Sequence, residues 1–225
     1  MMMSDKERGE RRGGLWGLLR KPQVYNALQE LLGARRVQRE FVRDFVQAER
    51  GANVCDIGCG PGDLLEFLGD VQYVGIDYND KYIQNAQSRF GARGRFLTRD
   101  ATRLDGLQSQ AFAVAIGLGL LHHLDDDKAR RFLSESARIL TREGRLVTID
   151  PCFTAGQGIL RRLAVQLDRG PFIRSPAELD RLARRSFRQV SLTVRHDWVR
   201  IPWSHCVMVC GGPIEQTDAE RAGSA

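Results

Sequence analysis

Three closely spaced glycines form the first candidate site in this sequence. Gly58, Gly60 and Gly62 lie in the segment DIGCGPG (residues 56–62), which directly follows an apolar, strand-like run. Because glycine has no side chain, such a loop lets a ligand approach the backbone at the carboxyl end of a strand. Tight turns without a ligand also use glycine, so the loop needs support from other residues.

The residue after this loop narrows the class of ligand. A dinucleotide-binding turn, G-x-G-x-x-G, would require glycine at position 63, where this chain has Asp63. A carboxylate at a helix start would repel a pyrophosphate. A P-loop is also excluded, since no Gly-Lys-Ser/Thr sequence follows. The loop predicts a ligand with little negative charge near the helix start.

Two further acids end predicted strands. Asp77 ends the second strand, 19 residues after Gly58, where a carboxylate can accept hydrogen bonds from the two hydroxyls of a ribose. Asp100 ends the third strand and is followed by Ala101, a place where an adenine amino group could be bound. For each acid the alternative is a helix-capping role.

Histidines follow the fourth strand. His122 and His123 could accept a proton at neutral pH, and Asp150, at the end of the fifth strand, could orient a histidine ring. The alternative is that one histidine caps the helix beginning near Asp125. The run Asp125–Asp127 fits helix capping better than a metal site, and we expect no metal.

Alternating strands and helices must position these residues. Apolar runs predict strands at 52–57, 72–77, 95–99, 111–117 and 144–150, and helical spacing predicts helices at 63–69, 79–90 and 125–140. This alternation predicts an α/β fold with a mostly parallel sheet and helices on both faces. Helices are also expected at 156–168 and 176–186, and within 23–48 as two helices separated by Gly33. Strand-like runs at 187–199 and 205–210 predict a C-terminal antiparallel hairpin.

The combined motifs resemble the class I S-adenosylmethionine-dependent methyltransferases, in particular the small-molecule branch with quinone-biosynthesis and sugar methyltransferases. They are DIGCGPG, GID at the second strand end, RDA at the third and LLHHL after the fourth. The resemblance implies a Rossmann-like sheet and S-adenosylmethionine as cofactor, with S-adenosylhomocysteine as product. The implied cofactor-binding residues are Asp56, Gly58, Gly60, Gly62, Asp77, Tyr78, Asp100, Ala101, Gly117 and Leu118.

The resemblance also shapes the expected reaction. The implied roles are amino-group binding for Asp56, adenine packing for Tyr78 and a backbone cradle at Gly117 and Leu118. His122, His123 and Asp150 are the candidate catalytic residues, with His122 favoured as the base. An Asn/Asp-Pro-Pro-Tyr/Phe motif, which many nucleic-acid and protein amide-N methyltransferases carry, is missing after the fourth strand. Its absence counts against methylation of a base amine, although RNA methyltransferases that act on 2′-hydroxyls or carbons also lack it, and we expect a nucleic-acid acceptor less than a small molecule.

We therefore expect methyl transfer to a small or medium-sized acceptor, at a hydroxyl oxygen of a sugar-containing or acidic metabolite. Arginines in the segment 151–186 suggest a phosphate- or carboxylate-bearing acceptor; they are Arg161, Arg162, Arg169 and Arg174. The alternatives are an RNA methyltransferase, which the net charge of +6 supports, and a non-catalytic cofactor-binding module. A nicotinamide oxidoreductase is disfavoured by Asp63.

The chain's 225 residues, 42% of them apolar, fit one domain with a substantial core. We expect a disordered tail at 1–14, a single domain at 15–210 and a flexible tail at 211–225. Within the domain, 15–48 forms a helical cap and 151–186 the acceptor side. The longest apolar run, 111–121, is too short to cross a bilayer, and no signal peptide is recognisable, so a cytoplasmic location is expected. The five cysteines are an odd number and include no C-x-x-C pair, so we expect buried thiols and not a zinc site.

Overall fold

The structure is a computed structural model that describes residues 33–154, 170–198 and 204–214. Its centre is a seven-stranded sheet with the order β3-β2-β1-β4-β5-β7-β6. The strands β1 to β5 run parallel, and β7 lies antiparallel between β5 and β6. The strands are β1 (Asn53–Ile57), β2 (Gln72–Asp77), β3 (Gly94–Thr98), β4 (Phe112–Leu118), β5 (Leu140–Pro151), β6 (Phe187–Arg195) and β7 (His205–Pro213).

Helices cover both faces of this sheet. They are α1 (Ala34–Phe41), continued by a π-helical turn (Val42–Val46), α2 (Asp80–Phe90), α3 (Asp126–Ile139) and α4 (Pro176–Ala183). Two 3₁₀ turns, Asp63–Glu66 and Leu121–His123, directly follow the glycine loop and β4. The strands β1 and β4 are neighbours; β2 and β3 follow on the side of β1, and β5 follows on the side of β4. The carboxyl ends of β1 and β4 therefore border a crevice. Open α/β sheets bind ligands at this point.

Buried apolar side chains hold the two layers of helices on the sheet. Phe132 and Leu133 of α3 pack with Ile57 and Ile76 on one face, and Phe41 packs with Val54 on the other. This arrangement explains why four of the five residues of β1 and five of the seven of β4 are buried, since a parallel sheet is covered on both faces.

The predicted α/β sheet and its C-terminal hairpin are confirmed, and most strand boundaries agree within one or two residues. The strand β5 begins earlier, at Leu140, because Leu140 pairs with Phe112 across an irregularity in the β4–β5 register. The strand β7 extends beyond 210 to Pro213, which pairs with Phe187. The first 3₁₀ turn replaces the helix expected at 63–69, since Phe67 donates its backbone N–H to Leu64 in an i→i+3 bond.

Some expectations fall on residues that the structure does not describe. They concern the tail at 1–14, the helix before Gly33, the helix at 156–168 and most of the tail at 211–225. Gly33 itself has a φ of +99° and directly precedes α1. The five cysteines, by contrast, are all described, and each is a buried free thiol, as predicted. Within the described ranges, no helix is long and apolar enough to span a membrane.

Candidate active site

The glycine loop folds back against the end of β2. The backbone N–H groups of Gly58 and Cys59 both donate to the Ile76 carbonyl, at 2.7 and 2.9 Å. All three glycines have positive φ, between +54° and +81°, so this turn disfavours other residues. A Cβ on Gly62 would lie 3.2 Å from the Phe90 ring, whereas a Cβ on Gly60 would meet nothing within 4 Å. Gly60 therefore borders open space, where the backbone can receive a ligand.

Asp77 connects this loop to the start of α2. Its Oδ2 accepts the Gly60 N–H at 3.0 Å, and its Oδ1 accepts the Asn79 N–H at 2.8 Å. The cap residue of α2 is Asn79, whose side chain accepts the Lys81 N–H. Each carboxylate oxygen has about two lone-pair sites, so Asp77 can still accept bonds from two ribose hydroxyls.

Two neighbouring residues suit an adenosine group beside Asp77. The Tyr78 side chain is 80% exposed, which is unusual for a tyrosine and leaves its ring open for stacking. Asp100 is exposed, and only its Oδ1 accepts the bonds from the Thr102 N–H and hydroxyl, both at 2.8 Å. Ala101, next to it, is partly buried.

Asp56 lies deeper, in the middle of the sheet. It is 1% exposed, its Oδ2 accepts the Tyr73 hydroxyl at 2.7 Å, and its Oδ1 has no hydrogen-bond partner. Burial raises the pKa of Asp56 to about 7, against the lowering effect of the Tyr73 hydrogen bond. A buried carboxylate oxygen without a partner, beside an open loop, fits the cationic amino group of an amino-acid ligand.

The end of β4 leads into the histidine pair. Gly117 is buried in the strand, where a Cβ would lie 3.1 Å from Phe132, and Leu118 is the last, partly buried strand residue. Gly119 then turns the chain with a φ of +63°, and its N–H donates to Ile149 of β5. The turn brings the next residues over the end of β5.

His122 and Asp150 form a buried pair at this point. The His122 Nδ1 lies 2.8 Å from Asp150 Oδ1, and the His122 backbone N–H donates to the same oxygen at 3.1 Å. Both residues are buried, at 6% and 2% exposure. The exposed His123 ring lies 4.1 Å from the His122 ring, centroid to centroid. The expected contact between His122 and Asp150 is therefore present.

The acids near α3 have structural partners. Asp125 is the N-cap of α3 and accepts the Lys128 N–H, Asp126 forms an ion pair with Arg174, and Asp127 forms one with Arg130. The capping interpretation of Asp125 is confirmed. Asp63 is the residue whose carboxylate argues against a pyrophosphate ligand. It forms an ion pair with Arg89, with 2.5 Å between Asp63 Oδ1 and Arg89 Nη1.

The sequence did not point to the role of Tyr73, and it predicted the wrong role for Arg174. Tyr73, the hydrogen-bond donor to Asp56, was not singled out, although it occupies the strand position paired with Val54. Arg174 was expected among the anion-binding arginines. Instead it is buried and donates to backbone carbonyls, so it is not available to an acceptor's phosphate. The other three, Arg161, Arg162 and Arg169, lie outside the described residues.

Comparison with known proteins agrees with this geometry. Residues 54–144, which span the glycine loop, Asp77, Asp100 and the histidine pair, match the family model of a methyltransferase domain. The chain carries a class I S-adenosylmethionine-dependent methyltransferase domain. Methyltransferases of this class use S-adenosylmethionine, whose sulfonium supplies an electrophilic methyl group. The orphaned Asp56 oxygen, the open space at Gly60 and the exposed Tyr78 ring fit its amino-acid and adenosine parts.

Individual relatives are more distant. The methyltransferase domain is similar to a Bos taurus protein described as "Probable tRNA methyltransferase 9B", with 33% identity over 108 residues that cover 47% of this chain and 23% of the relative. It is also similar to a ubiquinone/menaquinone biosynthesis C-methyltransferase from Serratia proteamaculans, with 27% identity over 138 residues, 56% of this chain and 54% of the relative. This chain thus spans about half, or less, of the length of these curated relatives.

A solved structure shares the fold over a larger part of the chain. The geranyl diphosphate C-methyltransferase from Streptomyces coelicolor superposes with a TM-score of 0.63 at 15% identity, covering 93% of this chain and 89% of that one. At this level of identity, the comparison establishes the class I methyltransferase fold.

Proposed function

We propose that this chain transfers a methyl group from S-adenosylmethionine to a small-molecule acceptor, and that His122 takes a proton from an acceptor hydroxyl. The observation that carries the proposal is the 2.8 Å contact between His122 Nδ1 and Asp150 Oδ1, at the edge of the sheet that also holds the cofactor residues. Methyl transfer from a sulfonium is an in-line displacement, so the enzyme must align the two reactants and remove the proton.

The pair with Asp150 defines which histidine nitrogen acts. An ionised carboxylate only accepts hydrogen bonds, so His122 carries its hydrogen on Nδ1, facing Asp150. This tautomer makes Nε2 the basic nitrogen. The carboxylate then stabilises the positive charge that develops on the ring as the proton arrives. Asp150 thereby orients the base without exchanging the proton itself.

The acceptor we propose is a sugar-containing or acidic metabolite with a free hydroxyl, and the methyl group goes to that oxygen. A second candidate is methylation of a ring carbon next to a hydroxyl, as in a quinol, where loss of the same proton makes the carbon nucleophilic. The description of the Serratia proteamaculans relative as a quinone-biosynthesis C-methyltransferase favours this second candidate.

Product formation tests the proposal. S-adenosylhomocysteine release should be measured with naphthoquinols, phenols, sugars and sugar phosphates as acceptors. With the best acceptor, His122→Ala should lower kcat about 10²–10⁴-fold, the usual contribution of a positioned base, and leave the calorimetric Kd for S-adenosylmethionine nearly unchanged. Asp150→Asn should lower kcat less. The matched control is His123→Ala. Equal turnover in wild type and both histidine variants would reject His122 as the base.

The same panel separates the alternative functions. An RNA acceptor, favoured by the description of the Bos taurus relative and the net charge of +6, predicts micromolar RNA affinity that falls steeply with salt. A non-catalytic module predicts tight cofactor binding without turnover of any acceptor. A cytoplasmic location remains part of the proposal, and fractionation of the native cells tests it.

A further inference from the structure

The segment from Gly170 to Arg174 lies directly on the histidine turn. We call Gly170, Phe172 and Arg174 the clasp, because these alternate residues all contact this turn. A Cβ on Gly170 would overlap the His122 ring and lie 2.6 Å from the His122 carbonyl, so only glycine fits there. The Phe172 N–H donates to that same carbonyl at 3.0 Å.

Arg174 bonds to the histidine turn on both sides of the histidine pair. Its Nη1 donates to the Leu121 carbonyl at 2.8 Å, and its Nη2 donates to the Leu124 carbonyl at 2.7 Å. These carbonyls flank the histidine pair on either side. Two of its nitrogens also donate to Asp126 Oδ1, at 2.8 and 3.1 Å. One guanidinium therefore holds both ends of the turn and the first residue of α3.

The clasp is also attached to the strand that carries Asp150. Arg174 forms a parallel bridge with Cys152, two residues beyond Asp150, and its carbonyl accepts the Phe153 N–H at 3.3 Å. Through these bonds, Arg174 connects the turn that holds His122 to the end of β5. Arg174 therefore bonds to both chain segments that carry the His122–Asp150 pair.

The burial of Arg174 distinguishes a positioning role from ligand binding. Its side chain is 7% exposed, whereas that of Asp126 is 66% exposed. The ion pair is therefore partly screened by solvent, and the hydrogen bonds to the buried Leu121 carbonyl and the partly buried Leu124 carbonyl matter more. A guanidinium suits this task because its planar fork holds several acceptors at fixed angles, which an ammonium group does not.

We propose that Arg174 is a positioning residue that holds the His122 imidazole on Asp150. This inference rests on the proposed function of His122 as the base. It assigns Arg174 to the catalytic geometry and not to recognition of an acceptor's anionic group.

Nuclear magnetic resonance of the histidine rings tests the inference without an acceptor. The chain has only four histidines, so ¹⁵N-histidine labelling gives a simple spectrum, in which His122→Ala assigns the His122 signals. In the wild type we expect one fixed tautomer with the hydrogen on Nδ1. In Arg174→Gln this pattern should broaden or become a mixture of tautomers. Arg174→Lys keeps the charge and should restore it only in part. Arg181→Gln, on the exposed side of α4, is the matched control and should match the wild type.

Kinetics with the best acceptor provide the second measurement. Positioning predicts that Arg174→Gln lowers kcat about tenfold or more with little change in KM, while the Kd for S-adenosylmethionine stays within about twofold. Binding of an acceptor anion predicts a raised KM at constant kcat instead. Unchanged His122 signals in Arg174→Gln would overturn the inference. If that variant does not fold, unchanged signals in Arg174→Lys together with wild-type kcat would overturn it equally. Failure of the proposed base is seen separately, as full turnover by His122→Ala.

Discussion

Replacing Asp56 by asparagine should change how the stability of the cofactor-free protein depends on pH. Burial raises the pKa of Asp56 to about 7, whereas an aspartate in an unfolded chain titrates near about 3.9. The folded state therefore holds a proton on Asp56 that the unfolded state has already lost over the range between these values. Stability falls as pH rises through this range, because the folded state binds more protons there.

The size of this effect follows from the two pKa values. About three pKa units at about 1.4 kcal/mol each give a destabilisation near 4 kcal/mol above pH 7, of which about 1 kcal/mol is already present at pH 4.5. Asparagine does not ionise, but its amide hydrogens would occupy the place of the unpartnered Oδ1, at a cost of about 1–3 kcal/mol. Between pH 4.5 and 8, the free energy of unfolding should therefore shift by about 3 kcal/mol in favour of Asp56→Asn.

Urea unfolding of the cofactor-free proteins at pH 4.5, 6, 7 and 8 measures this shift. Tyr73→Phe is an informative companion, because it removes the hydrogen bond that lowers the pKa of Asp56 and should extend the loss of stability to higher pH. Asp105→Asn, whose side chain lies at the surface with 74% exposure, controls for the loss of a carboxylate. A constant stability difference between Asp56→Asn and the wild type across this range would refute the reasoning.

Other substitutions test the cofactor residues and the local folding signals. Asp77→Ala should weaken S-adenosylmethionine binding about 10- to 150-fold by calorimetry, since a hydrogen bond to a charged group contributes about 1.5–3 kcal/mol, and unchanged affinity would leave Asp77 a purely structural role. Gly60→Val should abolish binding, and Tm should fall through the strain of valine at a φ of +54°, although its Cβ meets nothing within 4 Å. Gly62→Val should lower Tm more, since its Cβ would press on the Phe90 ring at 3.2 Å, and equal Tm values for the two glycine variants would contradict this distinction. Ser175→Ala should cost about 1 kcal/mol in urea unfolding, because Ser175 forms the capping box of α4, and no loss would mean that the box adds nothing.

Much of this site could be predicted because a simple rule links sequence to position. In a parallel sheet with alternating helices, all strands end at the same edge. Acids at predicted strand ends, such as Asp77 and Asp150, and the histidines after β4 therefore had to lie near the glycine loop. The glycines themselves were recognisable because their spacing is local.

The roles that were missed or wrongly predicted depend on contacts between distant parts of the chain. Whether Arg174 faces a ligand or the protein depends on carbonyls 50 and 53 residues away, and no local pattern encodes such contacts. The same holds for Tyr73, which was not singled out and whose partner Asp56 lies on the neighbouring strand. The helix expected at 63–69 was wrong because packing of Leu64 and Leu65 against the sheet is satisfied by a single 3₁₀ turn.

The sequence by itself determined the class of fold, the cofactor loop and the set of residues at the carboxyl edge of the sheet, since these depend on periodicity and local spacing. Only the tertiary structure decided which of these residues touch. It placed the His122 ring on Asp150 and buried Arg174 behind them, and it left one oxygen of Asp56 without a partner. The physical reason is that hydrogen bonds and burial depend on distances of a few ångströms between distant parts of the chain, which are set only when the whole core packs.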